Sequence, residues 1–460
     1  MWIAAEVLRD DFTYAQKQLD TLDDTAEQAI PLQFEVNLSA RFLSFVAQRL
    51  SDDAPSTKAR ASLLLHVFTY FVSSYLSDTD IFTFVKPFDV EVRSSVVTSF
   101  FAARAALEQH NVVDIPGPPP SALLSASSDG EASIYALFGG QGTNEVYFDE
   151  LQTLYDTYKP YVSPLITSIT NEILGPLVVA HQASSFYNYG MDAISWLSGT
   201  IPRPPVAYLA SIPVSLPLIG LTQLIQYLVV CCVSGLTPGQ LRTRIAGATG
   251  HSQGVVSAIA ISASSSYESF NANAKKAIRW LFFCGMRGQE AFPVLALEPG
   301  IVQDAIEGGE GQPSPMLSIN GLELSALRSH IEATNKHLPL NSQLSVSLYN
   351  GPRNLVVTGP PRALYGLVTN LRKVRAPNGQ DQSKVPYSQR KPAFGVRFLV
   401  VNAPYHSTYL ASATDKLCQE DLGGEELWSP DELKIPVFNT EDGKYMHVSS
   451  STLAEQLCRF

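Results

Sequence analysis

The stretch GATGHSQGVVSAIAIS, residues 247–262, sets Ser252 between Gly250 and Gly254 and follows it with small and aliphatic residues. A GxSxG cluster suits a tight turn from a strand into a helix. The serine Oγ then projects from the end of a sheet, and the glycines leave room for the close chain approach. The helix beginning there offers free N–H groups that favour negative charge. The same string also suits an ordinary structural turn in a serine-rich chain, and the strand before it, residues 245–249, is weak by residue type.

A nucleophilic serine needs a base. The histidines stand at 66, 110, 181, 251, 330, 337, 406 and 447. His66 lies in an apolar helical segment and reads as a core or interface residue. His110, His330, His337 and His447 sit in polar segments, and His181 at a helix end. His251 adjoins the serine, so its side chain should point away from the Oγ. His406 follows an apolar strand and sits in NAPYHST, a proline-containing turn, where a base would face an elbow. An oxyanion needs N–H donors. One is the backbone of Gln253; the other comes from the glycine turn FGGQG, residues 138–142, with Gln141 the best candidate and Gly140 beside it.

Around this cluster the chain has 460 residues and a net charge of −11, with 45% hydrophobic residues, enough for two to three domains with sizeable cores. The acidic balance, without a long basic run, argues against a nucleic-acid partner. Five cysteines without CxxC spacing make neither a metal site nor a disulfide framework, and the N-terminus has no signal-peptide pattern, so a cytoplasmic protein is expected. Residues 204–241 carry no charge, but the apolar runs are broken by Pro217, Gln223 and Gln226. This reads as a buried core helix, not a membrane span.

The expected fold class is α/β: a hydrolase-like parallel sheet core, an inserted ferredoxin-like βαββα subdomain and an N-terminal helical region. Residues 1–113 read as helical, with Leu64, Val67, Phe68, Phe71 and Val72 on one face. Residues 114–132, proline- and serine-rich, read as a linker. Residues 133–312 begin the catalytic core, 313–376 alternate as strand, helix, strand, strand, helix, and 377–460 form a loop and return to the core.

FGGQG, GATGHSQGVVSA and NAPYHS, in this order, together with LYNGPRNLVVTGPPRALYGL and IPVFNTEDG, resemble the acetyltransferase domain at the start of fungal fatty acid synthase beta subunits. The resemblance covers nearly the whole chain. It implies Ser252 as nucleophile, His406 as base, and the backbones of Gln141 and Gln253 as oxyanion donors. It implies a dyad whose histidine is oriented by backbone carbonyls, here from Asn439 or Thr440, and it places Asn350 in an asparagine motif beside the site. It further implies acetyl-CoA or another acyl-CoA as substrate, a phosphopantetheine-bearing acyl carrier protein as acceptor, no permanently bound cofactor or metal, and the synthase alpha subunit and other beta subunits as partners if the full complex forms.

Malonyl-specific relatives carry a carboxylate-binding arginine on a later helix. In LFFCGMRGQE one register puts Cys284 at that position and favours an uncharged acetyl group, or a longer starter such as hexanoyl. The other register restores Arg287 as a clamp. A basic stretch at 372–397 (Arg372, Lys373, Arg375, Lys384, Arg390, Lys391, Arg397) would attract CoA phosphates or an acidic carrier, or be a solvated loop or subunit contact. Two rivals stand beside the transferase. An α/β-hydrolase, an esterase or thioesterase, would use Asp304 or Asp381 as third triad member; a non-catalytic assembly fragment would use none of the motifs.

Overall fold

The computed structural model describes residues 31–50, 57–293, 296–377, 381–448 and 452–459. The chain divides into two compact units, residues 1–115 and 116–460.

The first unit is helical: Leu32–Gln48, Thr57–Tyr75, Ile81–Val85 and Val90–Gln109. Leu64, Phe68 and Phe71 are buried at helical spacing, as expected. The Phe68 ring lies 5.0 Å from that of Phe100 in a tilted contact, and Phe100 meets Phe101 edge-on at 5.3 Å. His66 is exposed, which rules out the core alternative of its reading.

The second unit carries seven strands: β1 (Tyr135–Phe138), β2 (Gly247–Gly250), β3 (Met316–Asn320), β4 (Ser345–Gly351), β5 (Asn354–Thr358), β6 (Gly395–Phe398) and β7 (Val437–Phe438). They form two sheets. The core sheet is parallel, in the order β1-β2-β7, with Phe138 opposite Gly250 and Thr249 opposite Phe438. Ser252 therefore leaves the carboxyl end of the central strand, where open α/β sheets place their ligands. The helix Ile212–Ser234 packs against the helices Tyr267–Ala291, Tyr147–Ile169 and Gly254–Ser262. By length and composition it is able to cross a membrane, yet 83% of its apolar window is buried inside the protein, which accounts for its lack of charge. Its Gln223 is satisfied internally: Nε2 donates to the Gly139 carbonyl at 2.8 Å, and Oε1 accepts from Ser257 at 2.7 Å.

The second sheet is antiparallel, in the order β4-β5-β3-β6, with helices Leu324–Asn335 and Pro361–Val374 on one face. This is the ferredoxin-like lobe. It takes a fourth strand, β6, which the sequence boundary at 376 left outside it. Val396 and Phe398 alternate into the lobe's core beside Leu317, Ile319 and Val357, and this packing claims the strand. Behind the lobe, Glu310, fully buried, holds Arg372 at 2.6 Å and Arg375 at 3.0 Å.

The stretch 114–132 is not a plain linker. It contains the helix Ala122–Ser128, capped by Ser121. Ser127 Oγ donates to the Arg244 carbonyl at 2.7 Å and Arg244 donates to the Leu124 carbonyl at 2.9 Å, so this segment docks on the core just before β2.

Candidate active site

The elbow forms because three backbones meet within van der Waals distance. A Cβ on Gly250 would lie 2.0 Å from the carbonyl carbon of Gly254, and one on Gly254 would lie 2.4 Å from the Phe138 carbonyl oxygen. No larger residue fits either position. His251 N–H donates to that same Phe138 carbonyl at 2.8 Å, which ties the turn to β1. Between the glycines, Ser252 has φ +53°, a left-handed conformation that a serine rarely adopts. His406 is also left-handed, with φ +59°.

Ser252 Oγ lies 2.9 Å from His406 Nε2, although 154 positions separate them in the chain. Burial lowers the imidazole to about pKa 4, and the nearby His251 adds to the effect, so His406 is neutral at pH 7 and Nε2 accepts the serine proton. Ser252 is the sole hydrogen-bond partner of the His406 side chain among the described residues. Asn439 and Thr440 do not hold the ring. Asn439 Oδ1 accepts from the N–H groups of Glu441 and Asp442 at 3.0 and 2.9 Å, closing an Asx turn, and its N–H donates to the Lys444 carbonyl. The Phe438 carbonyl is occupied by Thr249 Oγ1 at 2.9 Å. The turn around His406 is held locally, with Ser407 Oγ donating to the Pro404 carbonyl at 2.5 Å.

The two glycine turns are bonded to each other. Gln141 Nε2 donates to Gln253 Oε1 at 2.9 Å, and Ser215 Oγ donates to Gln141 Oε1 at 3.2 Å. Neither the Gln141 nor the Gln253 main-chain N–H is taken up by a backbone carbonyl among the described residues. Gly140 is pressed on the elbow; a Cβ there would lie 2.9 Å from His251 Nδ1. His251 Nε2 donates to Asn350 Oδ1 at 3.1 Å, so the ring leans toward the small lobe and away from the Ser252–His406 pair.

Behind the serine lies a cavity of about 40 Å³, walled by Leu216, Val255, Val256, Trp280, Cys284, Tyr405 and Leu457, with Gln141, Gln253 and Ser252 itself completing the lining. Burial pushes the Cys284 thiol up to about pKa 12, so it is a wall and not a second nucleophile. Arg287 is engaged elsewhere. It grips Asp421 with two bonds of 2.8 and 2.7 Å and Glu290 with one of 2.7 Å. Cys284, and not Arg287, lines the cavity behind Ser252, while Arg287, held by its acids, lines a neighbouring pocket together with Cys284, Tyr405 and His406. Tyr405, Trp280 and Leu457 escaped the sequence reading. Tyr405 had a signal, being next to the base; the other two come from helices whose pattern says only that one face is buried.

In front of the serine a cleft of about 670 Å³ opens between the core and the small lobe, with Asn350 and Arg397 on its lobe side. The two acids a hydrolase triad would need are elsewhere. Asp304 pairs with Arg372 at 2.6 Å and accepts from the Tyr365 hydroxyl at 2.8 Å, while Asp381 caps a short turn at Ser383.

An elbow serine, a neutral histidine in contact with it, and a tied pair of glycine turns on a parallel sheet define an α/β serine acyltransferase. The chain belongs to the family described as starter unit:ACP transacylase in aflatoxin biosynthesis, which matches residues 136–392; the N-terminal domain in fatty acid synthase subunit beta matches residues 1–107. It is 44% identical over 338 residues to the fatty acid synthase subunit beta of Saccharomyces cerevisiae, covering 73% of this chain and 16% of that protein. Against the Schizosaccharomyces pombe subunit it is 39% identical over 446 residues, covering 96% and 20%. Against the fatty acid synthase beta subunit aflB of Emericella nidulans it is 31% identical over 433 residues, covering 92% and 20%. The chain thus spans a fifth or less of the length of these relatives. Among solved structures, the malonyl CoA-acyl carrier protein transacylase of Clostridium perfringens overlaps 71% of this chain and 78% of that one, with a TM-score of 0.46 and 18% identity.

Proposed function

We propose that this chain loads an uncharged acyl starter, acetyl or a somewhat longer group such as hexanoyl, from acyl-CoA onto the phosphopantetheine thiol of an acyl carrier protein through an acyl-Ser252 intermediate. The observation that carries the reading is the 2.9 Å contact between Ser252 Oγ and a neutral His406. His406 Nε2 takes the hydroxyl proton as Oγ attacks the thioester carbonyl. The tetrahedral oxyanion rests on the N–H groups of Gln141 and Gln253, held in register by their own side chains. The C–S bond breaks, and CoA leaves as a thiol with the proton from His406. The carrier's thiol then gives its proton to His406, attacks the acyl-serine carbonyl and releases Ser252 with its proton restored.

The substrate class follows from the cavity walls. The space behind Ser252 is walled by Leu216, Val255, Val256, Trp280 and Leu457, its polar members are Gln141, Gln253, Cys284 and Tyr405, none of them cationic, and Arg287, three residues after Cys284, is paired with Asp421 and Glu290. A free malonyl carboxylate would enter without a counter-charge, at a cost of several kcal/mol. The fatty acid synthase beta subunits among the relatives support association with an alpha subunit and a carrier protein, which we propose for this chain as well. A hydrolase reading lacks a carboxylate bonded to His406 among the described residues.

Intact-protein mass spectrometry after exposure to acetyl-, hexanoyl- and malonyl-CoA tests the reading. One acetyl or hexanoyl group should appear on the wild type and none on Ser252→Ala, and the loaded group should pass to a holo-carrier. Acylation of both proteins refutes the site. Efficient malonylation refutes the substrate class, and rapid release of free acid favours the hydrolase.

A further inference from the structure

The basic residues of 372–397 have a sharper outcome than charge alone foretold. Arg372 and Arg375 hold Glu310, and Lys384 lies 3.9 Å from Asp381. Arg390 donates to the carbonyls of Val385 and Ser383, Lys391 to that of Lys373, and Lys373 to the Asn370 amide. Arg397 alone of the seven has no hydrogen bond or ion pair among the described residues, and it is exposed. It stands on β6 directly opposite Ser318 of β3. Its neighbours Val396 and Phe398 are buried in the lobe's core, so the alternation of the strand turns Arg397 to the other face, where it lines the same cleft as Ser252 and His406. Ser318, Asn320 and Asn354 line that cleft too; Asn320 and Asn354 are cross-strand partners, and none of the three side chains has an internal hydrogen bond among the described residues.

A sheet face that presents one guanidinium beside a row of unengaged hydroxyl and amide groups is suited to a ligand with the same sequence of chemistries. The pantetheine arm has a thiol that must reach Ser252, then two amides, then a phosphate. We propose that Arg397 binds the phosphate of this arm and that Ser318, Asn320 and Asn354 meet its amides. This rests on the acyl-transfer reading above and adds to it the wall on which the donor lies. Guanidinium matches phosphate through paired N–H donors. In a chain of net charge −11, a local cation is also what keeps an anionic donor from being repelled. The carboxylate lining the cleft, Glu145, comes from the core side and forms no ion pair with Arg397, so it disfavours phosphate there and leaves the lobe wall as the seat.

The test compares wild type with Arg397→Gln and Arg397→Lys on three acetyl donors: acetyl-CoA, acetyl-4′-phosphopantetheine and acetyl-pantetheine, which has no phosphate. Half-saturation for Ser252 acylation should rise about tenfold in Arg397→Gln with the donors that carry phosphate, stay unchanged with acetyl-pantetheine, and recover partly in Arg397→Lys. A rise with both phosphate donors places the guanidinium on the arm's own phosphate; a rise with acetyl-CoA alone places it on the nucleotide phosphates and overturns the proposal. An equal change with all three donors, or none with any, overturns the proposal. Calorimetric titration of 4′-phosphopantetheine into Ser252→Ala and into the double variant Ser252→Ala/Arg397→Gln reads the same contact without chemistry. A weaker fit to the double variant sustains the proposal even if the wild type acylates nothing, in which case only the transfer reading fails; equal affinity sinks it.

Discussion

The two walls of the cleft are built on opposite plans. On the core side a chain of side-chain bonds ties the elements around Ser252 together, Gln141 with Gln253, Ser215 with Gln141, Gln223 with Gly139 and Ser257, and leaves Tyr405 Oη and Trp280 Nε1 buried without a partner among the described residues. On the lobe side, the side chains of Ser318, Asn320, Asn354 and Arg397 hold nothing internal among the described residues. A wall whose groups are already bonded keeps a reacting centre in place, because moving any part breaks several bonds at once. A wall of unengaged groups on a rigid sheet receives something that comes and goes. The first stabilises a transition state and the second a bound arm, so substitutions on the two sides should separate in kcat and KM.

The largest expected effect tests the core wall. Ser252→Ala should lower transfer by about 10³-fold or more, with no acyl-enzyme in intact mass spectra. Next comes the turn itself. Gly250→Ala forces a Cβ to within 2.0 Å of the Gly254 backbone and should destabilise the fold by more than about 4 kcal/mol, read as a lost or much lower melting transition. Gln141→Ala unties the glycine turns and leaves Gln253 without its partner. We expect kcat to fall roughly 10- to 100-fold with little change in KM; a pure KM effect would erase the distinction between the walls.

The pH profile is more modest. The base is neutral His406, whose folded pKa is about 4 against an ordinary 6.5. Acylation should therefore stay level from pH 8 to about pH 5 and decline as pH falls through about 4; a midpoint near 6.5 would mean the ring is wet. Between 6.5 and 4 the unfolded chain binds the proton and the folded chain does not, so stability falls as pH falls through that window. The smallest effects belong to the lobe wall. Ser318→Ala or Asn320→Ala should raise KM for acyl-CoA about two- to fivefold and leave kcat in place.

The elbow, the paired serine and histidine and most of the small lobe were legible in the residues, for mechanical reasons. Gly250 and Gly254 mark a turn only glycine allows, and LELSALRSHIEATNKHL and PRALYGLVTNLRKV carry helical spacing. What was not legible depends on partners distant in the chain. The basic count at 372–397 says nothing of Glu310, some sixty residues earlier, which absorbs Arg372 and Arg375. β6 reads as one apolar run with the turn that follows, and only the packing of Val396 and Phe398 shows which sheet takes it. The main-chain carbonyl of Asn439 or Thr440 was assigned to the histidine by resemblance, and no residue pattern tells whether a carbonyl at the end of β7 reaches a ring that comes from another part of the chain.

Both residues that touch at the elbow hold positive φ angles. Such a conformation is retained because the surrounding scaffold leaves no alternative. The activity and the durability of this protein should therefore pull apart: replacing Ser252 by glycine removes the strain along with the hydroxyl, and the resulting inert protein should outlast the working one in a thermal melt by about 1 kcal/mol. A population selected only for persistence would drift toward that silent form.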